Sequence, residues 1–315
     1  MKLLADRELL WLIGGILAFL AVATVIAQVL KGRAKSESAR ATVDNLVARI
    51  RAWWAMVAVF GIAIATGGYG SLVMFAIVSF LAMREFMTLL PTRRADHRAM
   101  LWTFFLFLPA QYYFVATGWY GMFALLIPVY AYLLLPSVQV LAGDTEDFLA
   151  RTSRLQWVLM ICVFCVSHAP ALLMLEIPGY AGEGAKLLLF LVVVTQVSDV
   201  LQYTVGKLIG KRKAVPSVSP NKTVEGYLGG GGLAVLLGTG LWWATPFAPW
   251  QAALMSLVIV LAGIAGGLVM SAVKRDRQVK DFGALIPGHG GVLDRIDSLC
   301  FSAPLFFHLT RFYFT

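Results

Sequence analysis

Apolar runs of about twenty residues, each long enough to cross a bilayer as a helix, recur along this chain with only short polar segments between them. In lipid, every backbone N–H and C=O must find its partner within the protein, which leaves helices or closed barrels as spanning structures. Runs this long and continuous specify helices. The composition agrees, with 59% of residues hydrophobic and 14% charged, against about half and a quarter in a soluble domain. The expected fold is an all-α polytopic membrane protein. It has about ten transmembrane helices, and polar loops on the cytoplasmic side form its site.

The formal net charge of +9 would suit a nucleic-acid partner, but its placement excludes that reading. All Lys and Arg except Lys2, Arg7, Arg84, Lys186 and Arg311 fall in five segments: 31–51, 92–99, 143–154, 206–227 and 274–296. The alternate loops at 67–70, 117–119, 178–185 and 245–250 carry none. Cations concentrate in cytoplasmic loops, so this asymmetry puts both termini outside the cytoplasm and the polar segments together inside it. The expected setting is the inner membrane of a bacterial cell. Three cysteines give no disulfide framework,, and Cys162 and Cys165, a CxxC within an apolar run, read as buried thiols. The first apolar run has no convincing cleavage site and stays as an anchor. From the second half of residues 31–51 onward, Val43, Leu46, Val47, Ile50 and Trp53 recur at helical spacing. An interfacial amphipathic helix feeding the next span, or a solvated linker, are the two readings. Residues 1–185 thus form an N-terminal set of transmembrane helices, and residues 186–315 a C-terminal catalytic region.

Ser271 to Asp297 departs from everything around it, packing five cations, four aspartates, a histidine and four glycines into 27 residues. Glycines beside His289 let backbone N–H groups approach a ligand, as phosphate-binding loops do. Cations supply counter-charge, and paired aspartates can hold Mg2+ together with substrate phosphates. In the seventh apolar run, Asp199 lies among Thr195, Gln196, Ser198 and Gln202. An unpaired aspartate in lipid costs about 2.5–3.5 kcal/mol, so it should face a polar interior. The loop that follows, SPNKTVEG, is stiffened by prolines and strongly basic around them. Arg84 and Glu85 either snorkel from the end of the third run or line a polar pocket. His168 reads as a structural residue.

Ser271-Ala-Val-Lys274-Arg275, Lys280-Asp281, Pro287-Gly-His289-Gly-Gly and Asp294-Arg295-Ile-Asp297 resemble the signature of the phosphatidate cytidylyltransferases, the CDP-diacylglycerol synthases. SPNKTVEG resembles a second block of that family, and Asp199, Tyr203, Gly206 and Lys207 the block before it. The resemblance implies that the phosphate of phosphatidate, or a similar lipid phosphate, attacks the α-phosphate of CTP. The products are CDP-diacylglycerol and pyrophosphate. It implies Mg2+, with a second cation as an option, and a homodimer is compatible with it. Asp294 and Asp297 would be metal ligands, with Asp199 a third carboxylate. Lys207, Ser219, Asn221, Lys222 and Glu225 would bind the nucleotide. Lys274, Arg275, Lys280 and Arg295 would grip phosphates, with Asp281 beside them, and His289 would donate a hydrogen bond or shape the glycine turn. There is one departure. Where the family carries Gly-Asp four residues ahead of the serine, its aspartate a metal ligand, this chain has Gly266-Gly267. Two alternatives stay open: a degenerate member that partners another lipid enzyme, and a transporter.

Overall fold

The computed structural model describes residues 6–33, 36–286, 288 and 290–315. The chain is built from helices α1 (Arg7–Arg33), α2 (Glu37–Ala65), α3 (Gly68–Thr88), α4 (Arg94–Ala116), α5 (Tyr120–Val140), α6 (Phe148–Met174) and α7 (Gly184–Ile209). A hairpin of β1 (Lys213–Val215) and β2 (Ser219–Thr223) follows, its strands antiparallel. The chain ends with α8 (residues 226–240), α9 (Pro249–Asp276) and α10 (Leu293–Phe314). Eight of these are long and apolar enough to cross a membrane, so the protein is an all-α polytopic membrane protein. The other two stand where spans are expected. α8 is short, and α10 opens on Asp294, Arg295 and Asp297, which lowers its hydropathy.

Residues 37–51 of the basic stretch are helical and feed directly into the second span, as the amphipathic-helix reading has it, rather than forming a linker. α1 runs to Arg33, and α2 begins at Glu37 and continues unbroken into the second span. Neither Gly nor Pro interrupts residues 37–60, so nothing stops the helix. Lys31 pairs with Asp44 at 2.8 Å, linking α1 to α2.

The core is aromatic, with Phe86, Phe107, Phe190 and Phe306 fully buried. Several of its polar groups meet one another, as interior polar groups in lipid tend to. The Ser79 and Tyr112 hydroxyls lie 2.6 Å apart, and Gln111 Nε2 donates to the Phe123 carbonyl at 3.0 Å. His168 is wholly buried, its Nε2 3.1 Å from Nε2 of His308, which fits the structural reading. Cys162 and Cys165 are free thiols.

The five cation-bearing segments gather at one end of the bundle. Arg151 of α6 binds Asp144 at 2.7 Å and Asp96 at 3.3 Å, joining the start of α4 to the loop before α6. Arg275 Nε donates to the Val218 carbonyl at 3.3 Å, joining α9 to the hairpin. A Cβ built on Gly288 would lie 3.6 Å from Ala48 Cβ and 3.7 Å from Arg49 Cγ, so α2 covers the glycine-rich loop. At the other end, Lys186 binds Asp6, Glu8 and Glu183 at 2.9, 2.6 and 2.8 Å.

Glycines set the distance between α7 and α8. A Cβ on Gly226 would stand 2.7 Å from the Gln202 carbonyl oxygen, and one on Gly230 would run into the backbone of Gln202. Small residues at such a crossing let two backbones touch. Gly230→Ala is expected to force the helices apart at a cost of roughly 1–3 kcal/mol. A thermal melt in detergent should show a clear drop, whereas Gly232→Ala, with nothing within 4 Å of its Cβ, should melt like the parent.

Candidate active site

Polar side chains in the second half of α7 stitch it to α10. Gln196 Nε2 donates to the Arg295 carbonyl at 3.1 Å, and the Thr195 and Ser302 hydroxyls lie 3.3 Å apart; within α7, Gln202 Nε2 donates to Ser198 Oγ at 2.6 Å. Ser298 then sets two carboxylates side by side. Its hydroxyl donates to Asp199 at 3.2 Å, and its backbone N–H donates to Asp297 at 2.8 Å. Among the described residues neither aspartate has an ion-pair partner within 4.0 Å. Lys222 and Arg295 are the cations whose fields reach both.

This pair opens into a cavity of about 220 Å³. α7 contributes Asp199, Gln202 and Tyr203, and β2 contributes Asn221, Lys222 and Thr223. Tyr227 comes from α8, and Asp294, Arg295, Asp297 and Ser298 from α10. The Arg295 Nε is buried and has no hydrogen-bond partner among the described residues. A buried donor without an acceptor is costly, and this one belongs to a residue of the cavity wall.

Asp294 lines the cavity, yet its oxygens are already engaged. Oδ1 accepts from Lys274 Nζ at 2.8 Å. Oδ2 accepts from the N–H groups of Phe282 and Gly291, at 2.8 and 2.9 Å. One carboxylate therefore folds the glycine-rich loop back on the start of α10 and fixes Lys274. Gly288 and Gly290 have φ of 75° and 83°, a region that L side chains enter only with strain. Pro287 and His289 lie outside the described residues.

Glu85, at the end of α3, grips the same loop from its other side. Its two oxygens accept the N–H groups of Val292 and Leu293, at 2.9 and 3.0 Å. These belong to the unsatisfied donors at the start of α10, and a negative charge there also favours the helix dipole. Gly283 and Gly291 close around the carboxylate so tightly that a Cβ on either would strike it. Glu85 thus neither snorkels nor lines the cavity; it is a helix cap delivered from another span. The only sign of it in the sequence is an ionisable residue in an apolar run.

Other residues singled out in the sequence lie around the cavity rather than in its wall. Glu225 accepts the N–H groups of Lys211 and Arg212, both at 3.1 Å. Together with its own backbone N–H, these hold its carboxyl down at about 2, and they close the base of the hairpin. Ser219 pairs with Val215 in the strand ladder. Lys207, Lys280 and Asp281 are exposed. Arg275 is exposed too, its Nε spent on the hairpin carbonyl. The structure therefore brings Asp199, Asn221, Lys222, Asp294, Arg295 and Asp297 together, with Lys274 one contact away. Thr223, Tyr227, Gln202 and Ser298 join them without having been singled out as binding residues.

A model of the cytidylyltransferase family matches residues 47–313, a range that holds every residue of the cavity. The chain belongs to the cytidylyltransferase family. Across 299 residues the chain is 40% identical to YnbB, an uncharacterised protein of Escherichia coli K12, covering 94% of the chain and 96% of that protein. It is 35% identical over 215 residues to a phosphatidate cytidylyltransferase of Bacillus subtilis, covering 67% of this chain and 75% of that one. A phosphatidate cytidylyltransferase of Mycobacterium leprae is 45% identical over 128 residues, 39% of this chain and 40% of that one. The general chemistry of the family, transfer of a cytidylyl group, suits a cavity that pairs carboxylates with cations at a helix-bundle end.

Proposed function

We propose that this member of the family joins CTP to phosphatidate, or to a closely related lipid phosphate, at the cytoplasmic face of a bacterial inner membrane. An oxygen of the lipid phosphate attacks the α-phosphorus of CTP, the bond to the β-phosphate breaks, and pyrophosphate leaves. The observation that carries this reading is the Ser298-linked pair Asp199 and Asp297 facing Lys222 and Arg295 in one cavity. The named relatives in Bacillus subtilis and Mycobacterium leprae support the lipid acceptor, and the clustering of cations at the same end supports the cytoplasmic placement.

Among the described residues no group of three or more His, Cys, Asp and Glu is set to hold a metal. The Asp199–Asp297 pair still fits Mg2+, which usually binds through one or two carboxylates plus substrate phosphates. When bound, Mg2+ would offset charge on the nucleotide's phosphates. The protein's own groups do the rest. Arg295 offers its unspent Nε to a phosphate oxygen, Lys222 brings a mobile cation, and Lys274 is held ready by Asp294. Such transfer rests mainly on positioning and charge neutralisation.

Purified protein in lipid nanodiscs, given CTP labelled at the α-phosphate, Mg2+ and phosphatidate, should move label into the lipid extract and release pyrophosphate. Bound CTP with no labelled lipid, across phosphatidate and other lipid phosphates, would overturn the reading. That result would favour the second one, a nucleotide-binding partner of another lipid enzyme, to which the bare Gly267 lends support.

A further inference from the structure

Gly267 sits inside an unbroken helix, α9, where glycine is a poor choice for the helix itself. Its neighbour Gly266 has a packing reason: a Cβ there would stand 2.6 Å from the Asp297 carbonyl oxygen and 2.9 Å from the Phe301 ring. Gly267 has none of that kind. The described atoms within 4 Å of its Cβ position are Lys222 Nζ at 2.8 Å and Ser298 Oγ at 3.7 Å. The missing side chain thus makes room for an ammonium group and for little else. Lys222 reaches this seat from β2, its Nζ also 5.7 Å from the centre of the Tyr227 ring. From there its charge acts on both Asp199 and Asp297.

We propose that Lys222 is the built-in counter-ion of the Asp199–Asp297 pair, that Gly267 is its seat, and that a divalent cation and this ammonium exclude each other there. The inference rests on the reading of that pair as the metal-holding part of the site. The carboxylate oxygens of the pair can ligate a divalent ion, but the ammonium beside them repels it. A cation that arrives with nucleotide phosphates gives Lys222 somewhere to go, because the displaced ammonium can turn onto phosphate oxygens. Metal alone then binds weakly, and metal with nucleotide binds tightly. By linkage, each ligand strengthens the other equally.

The test is a titration of the full chain in nanodiscs with Mn2+ alone, free Mn2+ being read by electron paramagnetic resonance. Lys222→Met removes the ammonium. Gly267→Ala lifts it from its seat at little structural cost, because the atom it displaces is the end of a flexible side chain. Each variant should bind Mn2+ on the order of tenfold more tightly than the parent, the effect of removing one like charge at close range. Amine labelling read by mass spectrometry gives a second signal: Lys222 should be protected relative to exposed Lys207 and Lys211 until Mn2+ is added. Either variant binding Mn2+ no more tightly than the parent, or no Mn2+ binding in any of the three, overturns the proposal. The titration uses neither CTP nor lipid, so its failure is distinct from failure of the labelled-lipid assay.

Discussion

Asp294→Asn is expected to lower transfer by at least about a hundredfold while leaving the helical content intact. Removing one partner of a buried ion pair costs about 3–5 kcal/mol, because the charge left behind stays desolvated. Lys274 is that charge, 2.8 Å from Asp294. Asparagine cannot take over. Its amide nitrogen would have to face Lys274 or the N–H groups of Phe282 and Gly291, and all of these are donors. The loss falls on the glycine-rich loop and on Lys274, not on the helix bundle. The labelled-lipid assay and circular dichroism, run on the same preparation, separate the two effects. Turnover within tenfold of the parent would mean that the loop is held by something else.

Glu85→Gln should have the next largest effect. Hydrogen bonds to a charged acceptor contribute about 1.5–3 kcal/mol each. Glu85 accepts two, from Val292 and Leu293, and glutamine can keep one. A loss of about 2 kcal/mol in holding the loop corresponds to roughly a thirtyfold fall in kcat. Glu85→Asp should not rescue it, since the chain is one methylene shorter and the glycines close around the longer one. Hydrogen exchange offers a direct readout, with faster exchange at the Val292 and Leu293 amides in both variants. Unchanged exchange at those amides would refute the capping role.

The sequence already shows the bundle and its sidedness, because apolar run length and cation placement are local properties. It also assigns Asp199, Lys222, Asp294, Arg295 and Asp297 to one site, through the resemblance of their motifs to those of the family. What it cannot show is the division of labour among them. Asp294 and Asp297 look alike in Asp-Arg-Ile-Asp, yet one is saturated by Lys274 and two amides while the other is turned toward Asp199. That difference depends on how a loop folds back on α10. Glu85 is hidden for the same reason, since its partners lie over two hundred residues away in the chain. The helical period of residues 43–53 is visible, but whether that helix stops before the second span depends on the absence of a breaker. Gly267 reads as a missing carboxylate until Lys222 is seen beside it.

α8 has a consequence for the membrane itself. Residues 226–240 rise only about 22 Å at 1.5 Å per residue, against roughly 30 Å of hydrocarbon. A stretch shorter than the hydrocarbon thickness would be met by local thinning of the bilayer, which would bring headgroups nearer Tyr227 and the cavity it lines. The lipid phosphate proposed as acceptor would then need to travel less far out of its leaflet.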